Sequence, residues 1–381
     1  MKKIWLFLGG GVLVVFIAAI VLFFVVNNQF KPDKTVDSFN QAVKDEDLET
    51  LEKLIEPDDE NLEIDKHSLK AFIAYLQTNN KSYQSIKDGF KKQIEDEDFS
   101  TTDEQITLFE DGKKMGIFPD YKLRVKGVNV KVKGDNDEEQ LNLGLADADY
   151  PLELAEEEDD LYGPLLPGEY TVEATVQNNL GTFKNEEKLD LWDDSSVSFL
   201  IDNEELASES EDVQKDIINA TNQFNEDMAV YVTSEFDVDE FTNVTDDFKS
   251  SLIGLDTSFE LNKEYIKEME SQFEKTIVDL DSIDLSQFDD EWEADATMLV
   301  SYKERIQLED EDDFEDISYT ELREFSMTYD PEEEIWVIED YYAEDADESD
   351  SDSWDNKEEM KMEDSKLHKW SDDENEAESY I

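Results

Sequence analysis

The side chains best suited to acid–base or metal chemistry are scarce in one kind and abundant in another: two histidines, 103 aspartates and glutamates, and no cysteine in 381 residues. Without cysteine, thiol nucleophiles, zinc ribbons and iron–sulfur sites are excluded, and no disulfide can staple the fold. His67 stands between Lys66 and Ser68 with no recognisable partner, so a surface or packing role is expected of it. His368 falls in a polar C-terminal stretch. Two carboxylates alone can run glycoside hydrolysis, but among 103 acids any chosen pair is arbitrary. Gly-rich phosphate loops, G-x-S-x-G, S-x-x-K and H-E-x-x-H are absent from the sequence. Acid runs such as Glu309-Asp310-Glu311-Asp312-Asp313 could attract calcium, yet the nearest EF-hand candidate, Asp279, Asp281 and Asp284, lacks the glycine and the alternation. Solvated surface acid is the expectation, with no metal and no cofactor.

The elements that would carry any chemistry begin at a membrane. Residues Ile4 to Val26 are apolar without a charge and follow Lys2 and Lys3. A helix of that length would rise about 34 Å, enough to cross a hydrocarbon core of about 30 Å. A cleaved signal fits less well, because its apolar core is usually about 7–15 residues and ends in a small-x-small site. The two lysines place the N-terminus in the cytoplasm, so the expected topology is a stub at 1–3, one transmembrane helix at 4–26 and an extracytoplasmic body. The formal net charge is −70, and the last thirty-eight residues contribute only −12 of it. The acid is therefore spread over the folded body, which suits a salty exterior and makes nucleic acid and anionic lipid poor partners.

Periodicity divides the body into an α+β series. Val36, Phe39 and Val43, then Leu48, Leu51 and Leu54, then Leu69, Phe72 and Leu76, then Tyr83, Ile86, Phe90 and Ile94 predict four short helices in a helical domain at 31–100. Asp33 and Asp65 are candidate helix starts, and Pro57 ends the second helix. From 105 to 204 the period falls to two, with a phase shift at Gly127 that predicts a bulge or bend, and the spacing of the strands predicts a β-sandwich-like domain. From 208 to 343 the pattern predicts helices around Val213–Tyr231, Phe241–Phe248 and Tyr265–Ile277, then long antiparallel strands starting with Trp292, Ala294, Ala296 and Met298. Residues 344–381 read as a disordered acidic tail in which Trp354 and Trp370 could dock a partner.

Three stretches meet a known pattern: Val36-Asp37-Ser38-Phe39 through Asp47, Tyr162-Gly163-Pro164-Leu165-Leu166-Pro167-Gly168-Glu169-Tyr170-Thr171-Val172, and Ile335-Trp336-Val337. With them the chain resembles the TcaA family of teicoplanin-resistance-associated membrane proteins. The resemblance implies a single-pass envelope protein with a C-terminal NTF2-like domain, linked to cell-wall stress and glycopeptide response. Such proteins commonly open with a cytoplasmic zinc ribbon. Here no cysteine is present and Met1-Lys2-Lys3 precedes the apolar segment, so inward signalling through that module is not expected. An NTF2-like cone would enclose a ligand pocket lined by Trp292, Tyr302, Tyr319, Phe325 and Trp336; the plainer alternative makes these five the core. The expected function is non-enzymatic binding of cell-wall components or envelope proteins. The alternatives are a wall-active hydrolase or transferase using an acidic pair, and an accessory subunit of a membrane complex.

Overall fold

Four amphipathic helices form where the apolar spacing predicts them: α1 Pro32–Asp45, α2 Leu48–Leu54, α3 Lys66–Thr78 and α4 Asn80–Asp96. In this computed structural model the described residues are 28–100, 104–134, 140–146, 150–155, 160–288, 291–362 and 365–372. The expected stub at 1–3 and membrane helix at 4–26 lie outside them. Among the described residues no helix is long and apolar enough to cross a membrane. Helix α3 opens with a reciprocal cap: the Asp65 carboxylate accepts from Ser68 N at 2.7 Å, and Ser68 Oγ accepts from Asp65 N at 2.9 Å. Helix α1 begins at Pro32 rather than after Asp33, since proline's missing N–H costs nothing in a first turn. Phe39, Leu51, Phe72, Leu76 and Phe90 meet in one buried core.

That core does not stop at residue 100. Strand β1 (Ile55–Pro57) pairs in parallel with β3 (Phe118–Val125), which pairs antiparallel with β2 (Ile106–Lys114). Ile106, Leu108, Leu123 and Val125 join the helical core. The core thus continues past the expected boundary at 100–105, because the hairpin's apolar face helps to close the helices, and Leu166 and Trp192 join it as well. Strands β4 (Val128–Lys133), β5 (Gln140–Leu145), β6 (Tyr150–Pro151), β7 (Leu161–Leu165), β8 (Gly168–Asn178), β9 (Gly181–Leu191) and β10 (Ser196–Leu200) then build two sheets, ordered β10-β4-β7 and β6-β5-β8-β9. Gly127 lies where the chain passes from one sheet to the next, and a Cβ there would come within 2.6 Å of Pro164 Cβ. Gly168 starts β8 against α3, where a Cβ would lie 2.8 Å from the Ala71 carbonyl carbon.

The described residues fall into two compact units, 28–177 with 184–201, and 178–183 with 202–372. The second unit holds helices α5 (Asn203–Ser208), α6 (Glu211–Thr233), α7 (Asp246–Ser251) and α8 (Leu255–Glu260). Its seven-stranded sheet comprises β11 (Ile266–Phe288), β12 (Glu291–Leu308), β13 (Glu315–Asp316), β14 (Tyr319–Asp330), β15 (Ile335–Asp345), β16 (Lys357–Lys361) and β17 (His368–Ser371). The main path is β15-β14-β12-β11-β16, all antiparallel, with β13 on β12 and β17 on β11. Helix α6 buries Val213, Ile217, Phe224, Met228 and Tyr231 against this sheet's core, as its periodicity predicts.

Three expectations fail in this unit. The helix expected at Tyr265–Ile277 is strand β11. A bulge between Phe273 and Lys275 brings Thr276 opposite Val300 three residues after Phe273 faces Tyr302, so an inward strand face acquires helix-like spacing. The helix expected at Phe241–Phe248 shrinks to α7, because Val244 is held in a bridge to Ile338. The tail expected to be disordered from 344 is ordered over its described part. Strand β15 runs to Asp345, and β16 and β17 add to the free edge of β11, with Trp370 buried.

Candidate functional site

Strands β12, β14 and β15 turn alternate residues toward α6, and that face carries all five aromatics expected to line a pocket. Trp292, Tyr302, Phe325 and Trp336 are only 1–2% exposed, and Tyr319 is partly buried. They do not gather around one cavity. Tyr302 stacks on Tyr319 at 5.2 Å, Phe325 meets Phe224 edge-on at 5.5 Å, and Trp336 packs against Tyr329 at 5.2 Å. Phe224, Phe241, Phe248 and Tyr341 fill the space between. The five are core, apart from the edge where Trp292 meets a surface groove.

At the centre of this face is a residue the apolar pattern passes over. Arg323 is 1% exposed, on the inward phase of β14 between Glu321 and Phe325. Its guanidinium donates to Glu321, to Asn225 Oδ1 and, at 3.1 Å, to the Tyr302 hydroxyl. Tyr302 in turn donates to the Asn225 carbonyl at 2.9 Å. The guanidinium carbon lies 5.1 Å from the ring centres of both Tyr302 and Tyr341. Burial pulls against the Arg323 charge, but the groups that face it, of which the Glu321 carboxylate is the charged one, outweigh burial and hold the guanidinium protonated. Burial pushes the Tyr302 and Tyr319 phenols far up, and the Tyr231 phenol to about 12, so all stay neutral. A charge paired in this way organises a core, and its donors are already engaged. Counting β14 by twos from Tyr319 places Glu321 and Arg323 inward, which is the signal that could have found them.

The more accessible feature is a groove of about 420 Å³ whose wall includes Thr245, Trp292, Tyr329, Asp330, Val337 and Glu339. Trp292 Nε1 is buried and has no hydrogen-bond partner among the described residues. Burial raises the Glu339 pKa, and the charges of Glu293, Glu291 and Asp247 raise it further. A groove of this make-up offers aromatic side chains and crowded carboxylates, which suits a ligand with hydroxyl or ammonium groups. No three His, Asp or Glu side chains among the described residues are placed to hold a metal.

The histidines take structural places. The His67 ring packs 6.2 Å from Tyr170, and His368 Nε2 meets Glu226 Oε1 at 3.1 Å. Beside His368, Trp370 donates from Nε1 to Glu235 at 3.1 Å and sets its ring edge-on to Phe259 at 5.1 Å.

Two family models match this chain: the TcaA protein second domain over residues 32–125, and the YvbJ NTF2-like domain over residues 217–342. The chain is TcaA/YvbJ-like. The first match ends at Val125, where β3 leaves the helical core. The second spans most of α6 through β15, and the C-terminal strands of this TcaA/YvbJ-like chain lie beyond it. The "uncharacterized membrane protein YvbJ" of Bacillus subtilis (strain 168) is 32% identical over 188 residues, covering 49% of this chain and 29% of that protein. The match thus spans less than a third of that relative's length. No solved structure matches the chain.

Proposed function

We propose that this TcaA/YvbJ-like chain is a single-pass membrane protein of the cell envelope whose extracytoplasmic body works by binding wall components or envelope partners. The apolar, lysine-flanked segment at 4–26 and the relative's name as a membrane protein support the anchoring. The observation that carries the binding role is the filled interior of the NTF2-like domain: its buried charge is already partnered, and the accessible feature is a surface groove. The resemblance points to glycopeptide and wall-stress response as the setting. The test is deletion of the gene followed by growth with glycopeptides and other wall-acting drugs, then complementation with the wild type, with Trp292→Ala and with Glu339→Gln. Deletion should shift sensitivity, Trp292→Ala should fail to restore it, in part because a core ring is lost, and Glu339→Gln, an exposed change in the same groove, should fail to restore it while accumulating normally. Unchanged sensitivity to every such drug would remove the reading.

A further inference from the structure

The most exposed large apolar side chain among the described residues is Met115, at 83%, with Ile117 two residues on at 62%. Both sit in the turn between β2 and β3, after Lys113 and Lys114. Met115 adopts a left-handed φ of 55°, a conformation costing an L-residue roughly 1–2 kcal/mol and commonly left to glycine or asparagine. A turn built only for tightness would not place methionine there and turn it outward.

The position of this turn gives its exposure a reason. Phe118, the residue after Ile117, stacks on Phe30 with ring centres 4.8 Å apart and planes 15° from parallel. Phe30 follows the last apolar residue, Val26, by four positions, a reach of at most about 14 Å. The stack therefore ties the hairpin to the point where the chain would enter a bilayer. Lys114 is paired with Asp120 at 2.8 Å, and Glu110 and Asp111 stand on the same strand, so the tip carries lysines without a strong net charge. Apolar residues with adjacent lysines suit the headgroup boundary, where the stems sit in the apolar layer and the ammonium groups reach water.

We propose that Met115-Gly116-Ile117 inserts into the lipid headgroup–acyl boundary beside the anchor, giving the first unit a second contact with the bilayer. The proposal rests on the membrane-anchored reading. Because the sequence has no cysteine, single labelling sites can be placed at will. The full chain is reconstituted in phosphatidylcholine vesicles as Met115→Cys, Ile117→Cys or Ile253→Cys, each carrying an environment-sensitive fluorophore. Ile253, 78% exposed in the second unit, is the water-facing control. Labels at 115 and 117 should shift to the blue and be quenched by lipids brominated near the headgroup, while the label at 253 does neither. If the chain floats with the vesicles and position 115 behaves like 253, the hairpin proposal is overturned and the anchor stands. If the chain does not float, the anchor reading fails and takes this proposal with it.

Discussion

Arg323 is the residue on which the second unit's interior turns. Removing it leaves Glu321 without its partner and Asn225 Oδ1 with only the Tyr302 hydroxyl at 3.3 Å, and breaking a buried pair from one side costs about 3–5 kcal/mol. Arg323→Ala should therefore lower the unfolding free energy of this unit by that order and its midpoint with it, and Arg323→Lys should recover little, since an ammonium cannot serve several acceptors in a planar fork. Denaturant unfolding followed by tryptophan fluorescence reads both; a midpoint unchanged in Arg323→Ala would show that the cluster is incidental. Glu304 gives the pH test. Burial raises its pKa above the ordinary 4.5, with Ser271 Oγ, 2.8 Å away, pulling the other way. A raised carboxyl binds its proton more tightly folded than unfolded, so it contributes stability at low pH that is lost as pH rises past the ordinary value. Glu304→Gln should then melt above the wild type at neutral pH, with the gap closing at about pH 4. Equal melting temperatures across that range would sink the assignment.

Strands β16 and β17 matter because an open edge on β11 would invite pairing with other chains. Trp370 fastens β17, opposite Met269 in register and edge-on to Phe259. Trp370→Ala should cost about 3–5 kcal/mol and speed amide exchange in 268–271, the residues β17 covers; unchanged exchange there would mean that the strand is not what protects the edge. These strands escape a reading by composition, because Lys357–Lys361 and His368–Ser371 are almost wholly polar and their pairing is long-range. Elements with one apolar face are legible: Phe39 and Val43, Leu69 and Phe72, and Trp292 through Tyr302 all point where their period says. What period cannot separate is a bulged strand from a helix, as at Phe273 and Thr276, or an inward arginine from a polar interruption, as at Arg323. The sequence marks the five aromatics as a set but leaves pocket and core both open, because it does not disclose Phe224 and Tyr341 filling the space between them.

At the scale of the whole chain the dominant quantity is the charge, −70 from 103 acids against 33 bases. Salt acts on it in two opposed ways. It weakens the surface ion pairs, such as Lys184 with Glu173 and Lys188 with Glu169, each contributing about 0–1 kcal/mol. It also screens repulsion among the acids in excess, as the Debye length falls from about 10 Å at 0.1 M to about 3 Å at 1 M. The excess is more than two acids for each available base, so relief of repulsion should win. The melting temperature should rise as sodium chloride goes from about 0.1 M to about 1 M, and the rise should exceed that in an uncharged osmolyte, which strengthens burial without screening. A chain whose melting temperature is flat or falls over that interval would have its acids already neutralised by some other means, and the salty exterior would no longer account for their number.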